Sequence, residues 1–439
     1  TRYMMKKAVL AMALVIAMQT VNGQMHQAVS GEMQQTTSRQ MQRAIERISV
    51  EYDMMGLSVI AVCDGKIAGE WYAGLRDYER NLPVNENTKY RIASISKFVM
   101  TTAMMKLHDQ KRLDLDEDAG NYLGFPLRNP NHPETPITVR MLLLHTGSIN
   151  EGAGYDEFLM ATYNNVGDPP SFSELLVPGG RYYTDNMWRK EAPGEYYTYC
   201  NANFGLAATI IERITGQRFE TFIQENLFIP MKITGSYISE GVADINNLAV
   251  IYRKEDGRWT ARTDNYKGVM SSPRDFSGYV TGTNAAVFSP QGGLRISAAE
   301  LARIMILHMN KGKYEGNRII SKKSIRLMHR AQFISTGTNS DNEGVRIGNR
   351  GLSVQILPES ASGTILPEGS HFLGHSGSAY GLFSDLYFDP KGKYGFIFIT
   401  NGMGKAPEKG SSGSFYNFEE ALIKALQEKN LLPCKKTKQ

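Results

Sequence analysis

Two β-hairpins stand at opposite ends of this 439-residue chain, and their separation constrains the fold more than any other feature. Leu57–Cys63 is an apolar run of β type, Asp64-Gly65 turns it, and Lys66–Tyr72 runs back. Far downstream, Leu382–Phe388 and Tyr394–Thr400 flank Asp389-Pro390-Lys391-Gly392, which reads as two strands and a turn. Strands thus occur early and late, with helices and long loops between. The pattern predicts an α/β chain of the α+β type: an antiparallel sheet built from both chain ends, flanked by helices, with a mainly helical region inserted at about 98–275.

Met41, Ile45 and Ile48 recur at helical spacing, so roughly Thr37–Tyr52 is expected to be an amphipathic helix. A long helical segment begins near Ser94 and carries Phe98, Met104, Met105 and Leu107. The stretch from about Asn129 to Arg189, with scattered Pro, Gly and Asn, reads as loop-rich. Asn203–Thr215 is a further helix, ended by Gly216. Ser297-Ala298-Ala299-Glu300 is a capping box before a helix over Leu301–His308, and a last helix covers roughly Phe418–Gln427.

Lys6 and Lys7 precede an apolar run, Ala8–Met18, too short to span a bilayer. Val21 and Gly23 then offer small residues, which predicts a cleavable signal at 1–23, cut before Gln24, and a linker over 24–36. The chain is expected to be exported, periplasmic or secreted, with no stable membrane insertion. Formal net charge is +5 and falls to +2 once Arg2, Lys6 and Lys7 are set aside, which gives no reason to expect nucleic acid as a partner. The cysteines, Cys63, Cys200 and Cys434, are odd in number, so at least one thiol is free. The sequence leaves open whether Cys63 and Cys434 pair, and the Lys-rich tail 431–439 is expected to be loose.

Three separated segments carry chemistry. In Ser94-Ile95-Ser96-Lys97, Lys97 falls one helical turn after Ser94, within reach of its hydroxyl. A serine hydroxyl is a poor nucleophile without an adjacent proton acceptor, and a desolvated lysine can be one. In Tyr199-Cys200-Asn201, the phenol can relay a proton, and the amide can hold a substrate carbonyl while bonding Lys97. In His375-Ser376-Gly377, small residues beside a strand let a substrate approach the backbone. The backbone N–H groups of Ser94 and Ser378 are then candidates for an oxyanion hole. His145-Thr146-Gly147 offers a similar triplet but follows the apolar Met141–Leu144, and it reads as structural. Tyr182, Tyr183, Trp188, Tyr196 and Tyr197 either wall the cleft or pack a surface loop. No His-x-His pair, His-Glu-x-x-His helix or Gly-x-Ser-x-Gly elbow is present, so neither a zinc enzyme nor an α/β-hydrolase is indicated, and no metal or cofactor is expected.

Those boxes, in that order, resemble the serine β-lactamase and penicillin-binding family, in the branch of class C β-lactamases, D-alanyl-D-alanine peptidases and related esterases. Its Ser-x-x-Lys matches Ser94 and Lys97, its Tyr-x-Asn matches Tyr199 and Asn201, and its Lys/His-Thr-Gly matches His375, Ser376 and Gly377. The flanking Tyr90-Arg91-Ile92-Ala93 and Pro290-Gln291-Gly292-Gly293-Leu294 are similar too, and the likeness runs from about Ile48 to Asn401. The resemblance implies one hydrolase domain over 37–430, with Ser94 as nucleophile, Lys97 and Tyr199 as its proton acceptors, and Asn201 and His375 orienting substrate. It also implies an acyl-enzyme formed from an ester or amide, the substrate being a small molecule or a peptidoglycan-derived peptide. His375 replaces the lysine of class C β-lactamases, and its charge depends on pH, which weakens an antibiotic-hydrolysing reading. An esterase or acyltransferase is the neighbouring alternative, and a non-catalytic penicillin-binding sensor is an alternative of another class. Cys200 stands where a small hydroxyl residue is usual, and it reads as a packed thiol rather than a nucleophile.

Overall fold

The computed structural model describes residues 35–341, 348–362 and 364–434. The expected leader and its cleavage point lie outside the described residues, as do 435–439 of the basic tail. The early hairpin is β1 (Gly56–Cys63) and β2 (Lys66–Asp77), continued by the short β3 (Leu82–Pro83). The late strands are β4 (Asn349–Gly351), β5 (Val354–Ile356), β6 (Leu373–Ala379), β7 (Leu382–Asp389) and β8 (Tyr394–Thr400). Together they form one eight-stranded antiparallel sheet in the order β4-β5-β6-β7-β8-β1-β2-β3. The two chain ends meet along β1 and β8, where Leu57 pairs with Thr400 and Cys63 with Tyr394.

The helices that cover the sheet or position the site are α1 (35–51), α2 (Ile95–Asp109), α3 (Gly154–Asn164), α4 (Ala202–Thr215), α5 (Ala298–Met309), α6 (Lys322–His329) and α7 (Asn417–Glu428). Successive strand side chains point to opposite faces. Val59, Ala61, Phe396 and Phe398 therefore enter one core, with Met41, Ile45 and Ile48 of α1 and Phe418 and Leu422 of α7. Ile60, Val62, Ile397 and Ile399 enter the other, with Phe98 and Met105 of α2 and Leu301 and Met305 of α5. Burial on both faces explains why these central strands read as nearly unbroken apolar runs. Each fully buried large aliphatic or aromatic side chain contributes roughly 1.5–3 kcal/mol relative to exposure.

The structure adds detail at three places. The segment 129–189 holds α3 and the short helices Val139–Leu143 and Ser173–Leu176. Tyr155, Phe158 and Thr162 give α3 a buried face at helical spacing, and the surrounding Gly, Pro and Asn obscured it. Within the inserted region, Ile251–Glu255 and Arg258–Thr263 also pair as a hairpin. Finally, a Cys63–Cys434 disulfide with a Cα–Cα distance of 5.8 Å ties the end of β1 to the C-terminal segment. Leu432 is buried beside α7, so the expected loose tail does not hold for Leu431–Cys434. Among the described residues, no helix is long and apolar enough to cross a membrane.

Candidate active site

The site begins at a forced turn. Ala93 has φ 48°, uncommon for a residue with a Cβ, and it swings the chain from the strand Lys89–Arg91 into α2. Ile92 is pinned on both sides: its N–H donates to Leu294 O at 2.9 Å and its carbonyl accepts from Ser384 Oγ at 2.8 Å. Ser94 then starts α2 without using its hydroxyl as a helix cap. Lys97, one turn on, is fully buried. Its Nζ donates to Ser94 Oγ at 3.1 Å, Asn201 Oδ1 at 2.8 Å and the Gln291 carbonyl at 2.7 Å. Tyr199 OH donates to the same Ser94 Oγ at 2.6 Å. The nucleophile candidate therefore touches two groups, either of which can take its proton once deprotonated.

The second segment is held by the triplet that the sequence set aside. His145, itself at φ 59°, stacks on the Tyr199 ring with centroids 4.4 Å apart. Its Nδ1 accepts the Cys200 N–H at 3.0 Å and its carbonyl accepts the Thr198 N–H at 2.9 Å. Burial, then the nearby Lys97, His375 and Arg350 side chains, hold the His145 pKa well below the usual histidine range, so this ring stays neutral. It does not line the cleft; it backs Tyr199. Asn201 occupies the N-cap position of α4, yet its side chain makes no capping bond and faces Lys97 instead. Its backbone N–H is taken by the Glu151 carboxylate, a residue the sequence reading missed. Burial pushes the Cys200 thiol up, which disfavours the thiolate that a cysteine nucleophile needs.

The third segment is strand β6. His375 is buried, with Nδ1–H donating to the Ser376 carbonyl at 2.6 Å, and the Ser376 N–H donates to Gln355 Oε1 at 3.1 Å. A Cβ on Gly377 would lie 2.5 Å from Ile92 O and 2.9 Å from Ser94 N, so only glycine lets β6 run this close to the nucleophile turn. Tyr380 and Gly381, at φ 59° and 117°, then make the tight turn into β7.

Around Ser94 the surface opens into a cleft of two lobes, of about 220 and 250 Å³, and Ser94, Tyr199 and Ser378 line both. His375, Ser376, Gly377, Gln355 and Tyr416 belong to one lobe. Asn201, Arg91, Tyr155, Leu159 and Tyr380 belong to the other. The Ser94 N–H, among the first amides of α2, makes no hydrogen bond among the described residues and is available to an oxyanion. Tyr155 and Leu159 come from α3 at i, i+4 spacing, a signal that the sequence carried within its supposed loop. Of the aromatic cluster, Tyr182, Trp188 and Tyr197 are buried in packing, and Tyr196 lies under Arg189 at 4.0 Å; with Tyr183, none lines the cleft.

The Beta-lactamase family model matches residues 34–413. Protein flp of Staphylococcus aureus (strain MRSA252) is 22% identical over 358 residues, which is 80% of this chain and 61% of that protein, so the chain spans under two thirds of that relative's length. The octameric penicillin-binding protein homologue from Pyrococcus abyssi superposes with a TM-score of 0.66 at 22% identity, covering 90% of this chain and 78% of that one. EstCE1, a hydrolase with promiscuous acyltransferase activity, gives 0.65 at 18% identity, covering 90% and 99%. At such identities the structural likenesses show the fold alone, but the family match spans most of the chain. The chain belongs to the Beta-lactamase family, whose members are serine hydrolases.

Proposed function

We propose that this protein is an exported serine hydrolase that transfers acyl groups through Ser94, acting on ester or amide substrates in the manner of a D-alanyl-D-alanine peptidase. The contact that carries this reading is the convergence of Lys97 Nζ and Tyr199 OH on one hydroxyl oxygen, at 3.1 and 2.6 Å. Lys97, coupled to Tyr199, accepts the Ser94 proton as Oγ attacks the carbonyl. The negative oxygen settles against the Ser94 and Ser378 amides, and Asn201 and His375 orient the substrate. Tyr199 passes the proton to the leaving group, and water or another acceptor releases the acyl group from Ser94.

The two lobes meeting at Ser94 provide room for an acyl part and a leaving group on either side of the attacked carbonyl. An esterase or acyltransferase activity is the second reading. His375, in place of a permanently charged lysine, favours it because an imidazole gives a substrate carboxylate an ionic partner only when protonated. A fluorescent penicillin and an activated ester should both label the protein at Ser94, and persistence of the label in Ser94→Ala would refute the nucleophile assignment. Turnover on a nitrophenyl ester, a D-alanyl-D-alanine peptide and a chromogenic cephalosporin separates the readings; a burst without turnover on all three would make the protein a sensor instead.

A further inference from the structure

A cavity of about 330 Å³ opens between α5, α6 and the β7–β8 turn. Its walls are Met309, Ile325 and Pro390, and its rim carries Lys311, Lys322 and Arg326. No carboxylate lines it, and none of these three cations has a side-chain ion pair among the described residues. Asp109, at the base of α6, accepts from Ser321 and Ser324 with its two oxygens, and Asp389, beside Pro390, accepts from the His371, Lys391 and Gly392 N–H groups. The volume is at the small end of ligand pockets.

At the floor of the cavity lies a chain of hydrogen bonds whose direction can be worked out. Thr102 Oγ1 donates its single proton to the Phe98 carbonyl at 2.8 Å, so it can only accept from His308 Nε2, 2.9 Å away. Neutral His308 then has a bare Nδ1, which must accept from His329 Nε2–H at 2.9 Å. Burial lowers the His329 pKa to about 4, so this ring is neutral at pH 7. Its remaining atom, Nδ1, is therefore an acceptor. It has no partner among the described residues, and His329 lines the cavity. A site with cations at its rim and a lone pair at its floor asks for an anion that still carries a proton.

We propose that this cavity binds hydrogen phosphate, free or as a monoprotonated monoester, with its charge met by Lys311, Lys322 and Arg326 and its O–H donated to His329 Nδ1. Sulfate has the same shape and charge but no proton to donate at pH 7, so it leaves the imidazole acceptor facing an anionic oxygen. A metal cation that could use the lone pair is repelled by the three positive side chains. The site is separate from the catalytic cleft, with which it shares no lining residue.

Isothermal titration calorimetry on the full chain at pH 7 and constant ionic strength tests this with orthophosphate, glycerol phosphate and sodium sulfate. Saturable phosphate binding about tenfold tighter than sulfate is expected, the size of one hydrogen bond to a charged group. Orthophosphate alone would identify the free ion as the ligand, and comparable binding of glycerol phosphate would extend the site to monoesters. The exposed pair Lys322→Gln and Arg326→Gln, which leaves the packing untouched, should weaken phosphate by tenfold or more. Sulfate binding as tightly as phosphate to the unmodified protein would overturn the proposal. Phosphate affinity unchanged in the double variant would also overturn it, because the ion would then sit elsewhere.

Discussion

Ser94 and Ser297 each stand at the first position of a helix, and the molecule uses them in opposite ways. Ser297 opens α5 with extended backbone angles, φ −77° and ψ 157°, and completes a reciprocal capping box: its Oγ accepts the Glu300 N–H at 3.2 Å, while Glu300 Oε2 accepts the Ser297 N–H at 3.1 Å. Ser94 opens α2 with helical angles, φ −67° and ψ −12°, which turn its hydroxyl away from the helix amides. The residue that makes this possible is Ala93, at φ 48°. A capped serine satisfies its own helix; the uncapped one keeps its oxygen for Lys97 and Tyr199 and leaves its amide unspent. Local order is given up at the helix that carries the chemistry and kept at the helix that supports it.

The largest effect should come from breaking the uncapped start. Ser94→Ala should lower turnover by about 10⁴-fold or more on whichever acyl substrate is active, with a melting temperature close to that of the parent. Steady-state kinetics beside a thermal melt checks this, and a large fall in melting temperature would mean that Ser94 serves its helix after all. Gly377→Ala comes next. Its methyl would press on the Ile92 carbonyl, the Ser384 hydroxyl and the Ser94 amide, so the oxyanion geometry shifts. A fall of about 10²–10³ in kcat is expected, with KM changing less, as for loss of one oxyanion donor. Equal losses in activity and stability would show a purely packing role.

How much of this could be read from residues alone differs between the two helix starts for a physical reason. The capping box is local: four consecutive residues state it, and α5 has it. The sheet was legible too, because a two-residue period and turn chemistry are local signals at each hairpin. Ser94, Lys97, Tyr199, Asn201 and His375 were nameable from spacing, but their convergence depends on contacts across the whole chain. His145 shows the limit. It was set aside because it follows an apolar run, and that burial is what puts its ring behind Tyr199. Tyr155 and Leu159 were lost inside a segment whose glycines and prolines look like loop, and Glu151 has no local mark at all.

The supporting helix should respond to acid where the catalytic one need not. Burial pushes the Glu300 carboxyl up, but Lys89 and the Thr234 N–H and hydroxyl outweigh it and hold it below the usual range. A carboxyl lowered in the folded state contributes stability that is present above its unfolded pKa of about 4.3 and lost as pH falls through the folded value. Glu300→Gln should therefore cost about 1–3 kcal/mol at pH 7. It should also flatten the decline in stability below pH 4.5, read by denaturant melts from pH 3 to 7. A parallel decline in both proteins would place the acid-sensitive groups elsewhere.

Ser297→Ala is the mildest test and the one that most sharpens the comparison. It removes one acceptor from an N-terminus still held by Leu301 and Met305 in the core, so about 1 kcal/mol is expected, with acylation of Ser94 by an ester probe essentially unchanged. Because Ser297 and Glu300 satisfy each other, the double variant should lose less than the two single losses combined. Agreement with simple addition to within about 0.3 kcal/mol would mean that Glu300 acts through Lys89 and Thr234 and that the box is not a unit. The contrast with Ser94 would then rest on the backbone angles alone: a helix start in extended geometry turns its serine inward to the amides, and one in helical geometry turns it outward to substrate.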